Sequence, residues 1–153
     1  ALKLLQRAIA MDNENYRLHP QLVELLIQTG RYDEAEGILK SLPANIQQDD
    51  VLIHLNARLG IARTAARAPD AGTLNARLER EPENLDARYQ LSATQAMDGN
   101  YEKAMDNLLE IIRRDRNYKD DAARRALVDI FQLLGNEGPL VKQYRGKLSS
   151  ALN

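Results

Sequence analysis

The side chains that could hold a metal, move a proton or form a bond are few. Within the 153 residues there are two histidines, His19 and His54, and no cysteine. The histidines stand 35 positions apart. A shared metal site needs them within a few ångströms of each other, with carboxylate or thiolate companions. Residues placed equivalently in neighbouring helix pairs lie about a helix-pair width apart, so packing outweighs ligation for both. No metal and no other cofactor is expected. The lack of cysteine also removes disulfides, thiolate sites and cysteine nucleophiles from this chain.

Carboxylates are plentiful, as Asp33, Glu34 and Glu36, then Glu79, Glu81 and Glu83, then Asp120 and Asp121. An acid–base pair requires two of them flanking a pocket with one desolvated. These instead fall near expected helix starts, where negative charge complements the macrodipole, or beside Lys and Arg on solvated faces. The eight glycines are scattered, with no nucleophile elbow and no phosphate-binding loop. No catalytic residue set is present, and the expectation is a chain that is not an enzyme.

Charge excludes further classes. Lys plus Arg number 21 against 22 Asp plus Glu, a net charge of −1. Nucleic-acid binding needs a surplus of cations to displace phosphate counterions, so an RNA-binding helical repeat is disfavoured. A polybasic membrane-surface domain is disfavoured too. No apolar run approaches the ~20 residues that span a bilayer. The length suits one compact domain over residues 1–153, able to bury a core without staples.

The elements that would position any site are repeated. Gly30-Arg31-Tyr32-Asp33-Glu34-Ala35 recurs as Gly99-Asn100-Tyr101-Glu102-Lys103-Ala104, 69 positions later. Half that spacing is close to ~34, the period of tetratricopeptide helix pairs. Gly135 follows 36 positions after Gly99. Each glycine is expected to end a helix in the left-handed conformation without a Cβ penalty. Tyr32 and Tyr101 then open the next helix, and Ala35 and Ala104 allow close approach one turn on. Leu39 and Leu42, and Leu108, Ile111 and Ile112, continue those stripes. The preceding partner helices carry Leu22, Leu25, Leu26 and Ile27, and Leu85, Tyr89, Leu91 and Ala96. Asp12-Asn13-Glu14-Asn15, Glu81-Pro82-Glu83-Asn84 and Asp115-Arg116-Asn117 read as polar junctions. Each hairpin leaves an apolar face that only a neighbour covers, so the expected architecture is a stack.

Between these copies the pattern degenerates. Asp49 to Ala68 reads as one long helix, apolar on more than one side. Pro69-Asp70 breaks it, and a proline at a first helical position suits the start of the next segment, Ala71 to Arg80. Pro43 and Pro82 separate helices, and Pro139 opens the last one, to Leu152. The result is an all-α, tetratricopeptide-like solenoid of about nine helices in about four hairpins, with no strand. The chain also opens on a helical stripe, Leu2, Leu5 and Ile9, with no capping residue before it. That opening suggests a fragment with further sequence upstream.

The paired Gly-x-Tyr-x-x-Ala hairpins resemble tetratricopeptide repeats. More particular are Leu74-Asn75-Ala76-Arg77-Leu78-Glu79-Arg80-Glu81-Pro82-Glu83-Asn84-Leu85-Asp86-Ala87-Arg88, Phe131-Gln132-Leu133-Leu134-Gly135 and Tyr144-Arg145-Gly146-Lys147-Leu148. These are similar to the C-terminal repeat region of bacterial thioredoxin-like co-chaperones, the chaperedoxins. The resemblance implies a thioredoxin-fold domain upstream in cis and a cytoplasmic protein. It further implies binding to unfolding clients or folding chaperones, with any redox cysteines in the upstream domain.

Candidate binding residues follow from the register of the first helix in each pair. They are Arg17, Glu24 and Ile27, then Leu55 and Leu59, then Tyr89, Ala93 and Met97, then Arg125, Asp129 and Gln132. Tyr89 and Met97 lead, because aromatic residues and Met dominate adaptable surfaces. Core filling is the competing reading for Leu55, Leu59 and Met97. A carboxylate clamp of the kind used by one tetratricopeptide subclass would fall on Pro20, Glu24, Asn56, Asp86 and Gln90. Only Asn56 suits it, and Glu24 and Asp86 would repel a carboxylate. In the last helix Leu140, Val141, Tyr144, Leu148 and Leu152 form one stripe, first a cap on the preceding hairpin and second a partner-binding face through Tyr144. Arg113, Arg114, Arg116, Arg124 and Arg125 read as a solvated rim among Asp115, Asp120 and Asp121. The expected function is noncovalent binding of protein, without nucleic acid or membrane. The alternative is a structural spacer or dimerisation element for the upstream domain.

Overall fold

A computed structural model describes residues 1–12 and 16–153. The described residues form ten α-helices and one 3-10 turn, with no strand among them. Contacts divide the chain into two compact units, Ala1–Leu59 and Gly60–Asn153.

The first unit contains α1 (Leu2–Met11), a 3-10 turn (Tyr16–Leu18), α2 (His19–Gln28), α3 (Tyr32–Ser41), α4 (Ala44–Gln47) and the opening of α5 (Asp50–Arg67). The α2 and α3 helices pack as a hairpin, with α1 against α2. Leu22, Val23, Leu26 and Ile27 of α2 and Ala35 and Leu39 of α3 are buried. In α1 Leu2, Leu5 and Ile9 lie on the half-buried side, whereas Leu4 and Met11 are exposed. The single turn α4 is the helix that periodicity missed, since four residues carry no readable period. It starts behind Pro43 and is pinned by Gln47 Nε2, which donates to the Leu42 carbonyl at 2.5 Å. The polar junction expected at Asp12–Asn15 lies, beyond Asp12, outside the described residues.

The second unit holds the end of α5, then α6 (Ala71–Arg80), α7 (Leu85–Met97), α8 (Tyr101–Arg114), α9 (Ala122–Leu133) and α10 (Pro139–Leu152). The α8 helix is central, packing against α7, α9 and α10. Its Ala104, Met105, Leu108, Leu109, Ile111 and Ile112 are all buried, more than the single stripe the sequence suggested. They join Ala93, Ala96, Leu127, Ile130, Phe131, Val141 and Tyr144 in one core. A smaller cluster of Leu74, Ala87 and Leu91 ties α6 to α7.

The three turn glycines behave alike. Gly30, Gly99 and Gly135 have φ of +76°, +83° and +78°. In each turn the residue after the glycine donates its N–H back five positions, Arg31 to Leu26, Asn100 to Gln95 and Asn136 to Phe131, at 2.7–2.8 Å. Each glycine N–H donates to the carbonyl three positions earlier at 3.1 Å. This double bond pattern satisfies the last helical carbonyls and requires a left-handed residue where the glycine stands. Ala35 and Ala104, at 0% exposure, sit where the paired helices meet.

The α6 helix has the expected bounds, but Pro69 is not its first residue, because Asp70 stands between as the N-cap and accepts from the Thr73 N–H at 2.7 Å. The carboxylate satisfies a free helical donor, which a proline side chain does not. Glu79 and Glu81 lie at the end of α6 on an exposed face, near Arg77 and Arg80 in sequence. Glu81 is still used locally, because it accepts from Asn84 Nδ2 at 2.9 Å while Asn84 Oδ1 caps α7 at the Ala87 N–H.

Candidate protein-binding site

Within the second unit the Gly60–Arg67 end of α5 and the first helices α7 and α9 enclose a cavity of about 270 Å³. Its floor is apolar, formed by Ile61, Ala93, Ala96, Leu108, Ala122, Ala126 and Ile130. Small residues make the space, because four of these seven floor positions are alanine. Thr64, Tyr89, Ser92, Arg125 and Asp129 supply the polar groups. Gly60 also lines the cavity, and a Cβ placed there would stand 3.8 Å from Asp129 Oδ2.

The polar groups are held from behind. Ser92 is buried and its hydroxyl donates to the Tyr89 carbonyl at 2.6 Å. The Tyr89 ring is half-buried and lies 5.7 Å from the Tyr118 ring, centroid to centroid. Tyr118 is fixed in turn by its hydroxyl donating to Asp86 Oδ1, and Lys119 Nζ reaches the same oxygen at 3.3 Å. The Tyr118 bond holds the Asp86 carboxyl below its usual range, and burial followed by Asp86 pushes the Tyr118 phenol up. Burial also raises the Tyr89 phenol, against the pull of Arg125. The Asp129 carboxyl is raised, opposite to Asp86, because burial lifts it to about 6 while the positive charge of Arg125 opposes the rise. Arg125 Nη2 donates to the Lys119 carbonyl at 3.2 Å.

That carbonyl belongs to a loop no pattern announced. Lys119, Asp120 and Asp121 take φ of +43°, +54° and +69° in succession, a left-handed run without glycine. The run turns the chain from α8 into α9 and so sets where Arg125 and Asp129 point. Each such residue stores roughly 1 kcal/mol of backbone strain, offset here by packing.

The groove register expected from the sequence thus brings Tyr89, Ala93, Arg125 and Asp129 together. Gly60, Thr64, Ser92, Ala122 and Ala126 were missed. Small and hydroxyl residues carry no signal of their own, and only the crossing of three helices gathers them. Met97 lies outside the cavity at the exposed end of α7, 40% exposed. Two candidates take the competing reading, as core residues. Leu55 is 4% exposed, and Tyr144 is 3% exposed with its hydroxyl donating to Asp106 Oδ1 at 2.7 Å. Each is spent on packing, since the stripes that look like contact faces are the ones the fold covers. Ile27 and Leu59 are buried likewise.

The remaining singled-out residues have structural partners. Glu24 pairs with Arg58 at 3.2 Å and Asn56 Nδ2 donates to the Leu52 carbonyl at 3.1 Å, so the clamp positions are used internally. His19 is buried beside Tyr16, ring centroids 5.3 Å apart. Among the described residues no His, Cys, Asp and Glu cluster is placed to hold a metal. Of the basic run, Arg114 and Arg113 pair with Glu110 at 2.8 and 4.0 Å, and Arg124 with Asp121 at 2.5 Å. The first unit has a broader, more open trough between Tyr16, Pro20, Ile46, Val51 and Leu52, with Arg17 and Asp49 at its edge. None of the described helices is long and apolar enough to cross a membrane.

With helix hairpins, glycine turns and a cavity between first helices in place, the class is defined: an all-α helical repeat whose fold typically presents surfaces to other proteins. Residues 64–153 match a tetratricopeptide repeat model and residues 1–59 match a second one of the same description, so the chain belongs to the tetratricopeptide repeat family. A search of the curated proteins found no match. Among solved structures the chain is similar to a domain of protein VP0806 (unknown function) from Vibrio parahaemolyticus, with 23% identity, a TM-score of 0.48, and coverage of 98% of this chain and 87% of that one.

Proposed function

We propose that this chain is the client-binding repeat region of a thioredoxin-like co-chaperone, joined in cis to an upstream thioredoxin-fold domain and working in the cytoplasm. It holds unfolding polypeptides or folding chaperones by noncovalent burial, and any redox chemistry belongs to the upstream domain. The repeat family supports protein binding in general. Support for the co-chaperone reading comes from the similarity of residues 74–88, 131–135 and 144–148 to that family's repeats.

The observation that carries the reading is the cavity between α5, α7 and α9, apolar in its floor and polar along its wall. Such a surface takes an apolar side chain of an extended segment and hydrogen-bonds what flanks it. The test is light scattering from a thermally unfolding client, with and without the 153-residue chain, beside sedimentation of the mixture. Slowed aggregation and a client-dependent shift are expected. Ala126→Gln, which fills the cavity from α9, should remove most of the protection, whereas Met97→Ser, outside it, should keep it. Self-association without any client shift would overturn the proposal in favour of a spacer or dimerisation element.

A further inference from the structure

The half-buried carboxylate of Asp129 stands out in a cavity whose floor is apolar. Charged side chains are rarely buried unless paired. Here no hydrogen bond or ion pair from the described residues 60–153 reaches the Asp129 carboxylate. The cation one turn earlier, Arg125, gives its Nη2 to the Lys119 carbonyl. On α5 the neighbour of Oδ2 is Gly60, where a Cβ would stand 3.8 Å away and no side chain covers the oxygen. A negative group therefore stands at the wall of a chamber with an apolar floor, beside the polar side chains of Thr64, Tyr89, Ser92 and Arg125.

We infer that this cavity receives a basic side chain of the bound polypeptide, its methylene stem on the alanine floor and its cationic head against Asp129. The inference rests on the polypeptide-binding reading and adds the chemistry of the contacted residue. Lys and Arg have the required form, an apolar stem ending in donors. About 270 Å³ accommodates either stem and head with room for solvent. Other polar groups on the wall are compatible. Thr64 faces Tyr89, and its hydroxyl donates to the Gly60 carbonyl at 3.1 Å. Arg125, exposed, is the one opposing charge on the lining; its Nη2 is bonded to the Lys119 carbonyl, and its charge only partly offsets the rise of the Asp129 carboxyl. Lys119 is occupied by Asp86.

Binding should follow the charge of Asp129. On the wall Asp129 titrates near 6, while burial raises the Tyr89 phenol and keeps it neutral between about pH 5 and 7.5. Both histidines lie in the first unit, outside this lining.

The test uses the whole 153-residue chain and a short fluorescein-labelled peptide of alternating Leu and Ser with one central Lys. The comparison peptide carries norleucine, the uncharged analogue of that stem. By fluorescence anisotropy at about pH 7.5 the Lys peptide should bind about tenfold more tightly than the norleucine peptide. That preference should fall below about twofold in Asp129→Asn, and in the unaltered chain at about pH 5, as the carboxylate protonates. Asp129→Asn removes a half-buried charge and keeps the shape, so the variant stays folded, with circular dichroism as the check. Equal binding of both peptides by the unaltered chain would overturn the inference and leave polypeptide binding standing. A Lys preference that survives Asp129→Asn would also overturn it, by placing the anion elsewhere. Failure of both peptides and of an unfolded client to bind would defeat the polypeptide reading and the inference together.

Discussion

Replacing Asp129 by Asn should make the second unit more stable at neutral pH and leave it unchanged in acid. The carboxyl has an ordinary value of 3.8 and is raised to about 6 in the fold, with burial the larger cause and Arg125 opposing it. The folded state therefore holds the proton more tightly than the unfolded chain does. The stability this provides is complete below about pH 4 and is lost as pH rises through about 6, so at neutral pH the ionised group is a cost. A carboxyl moved from 3.8 to about 6 corresponds to roughly 3 kcal/mol at most. The cavity admits water, which screens the charge and reduces the expected gain from Asp129→Asn to about 1–2 kcal/mol at about pH 7.5. The gain should shrink steadily below about pH 6 and vanish near pH 4. The assay is native-state hydrogen exchange at the α8 amides of Leu108, Leu109 and Ile111, which lie in the core of this unit. Comparing variant and unaltered chain at the same pH cancels the intrinsic exchange rates, and following these amides avoids assuming that both units unfold together. A variant that loses stability at neutral pH would refute the reasoning, because it would mean that the carboxylate is a paired, stabilising group. A gain that persists unchanged to about pH 4 would refute it as well, by showing that shape and not charge is responsible.

Other perturbations test the frame around the cavity. Gly99→Ala forces a Cβ onto φ +83° and should cost about 1–2 kcal/mol by the same exchange measurement, although nothing lies within 4 Å to clash. Gly37→Ala, inside α3 and equally open, should instead gain about 0.5–1 kcal/mol in the exchange of α2 and α3 amides. Asp120→Gly relieves a left-handed residue at φ +54° and should stabilise the second unit by about 0.5–1 kcal/mol. A destabilised Asp120→Gly would show that the loop is held by the side chain and not merely strained. Leu127→Ala empties a fully buried site in α9 and should cost about 2–5 kcal/mol in urea unfolding followed by circular dichroism.

The candidate site was readable in part. Tyr89, Ala93, Arg125 and Asp129 follow from helical register alone, because residues three and four apart share a face once the first helices are known. Tyr144 and Leu55 follow from the same register and are buried. Periodicity marks an apolar stripe but does not say whether a neighbouring helix or a partner covers it. The α8–α9 loop was not readable, since Lys, Asp and Asp seldom take left-handed angles and give no warning when tertiary contacts make them do so.

What the residues determined by themselves was local. Gly30, Gly99 and Gly135 end their helices because only a residue without Cβ takes that φ cheaply, and the bonds that close each turn span five positions. What the tertiary structure decided was solvation. Gly60, Tyr89 and Asp129 are far apart along the chain, and only the crossing of α5, α7 and α9 partly desolvates the carboxylate and leaves a chamber in front of it. Sterics act between neighbours in sequence, whereas desolvation depends on everything that surrounds a group in space.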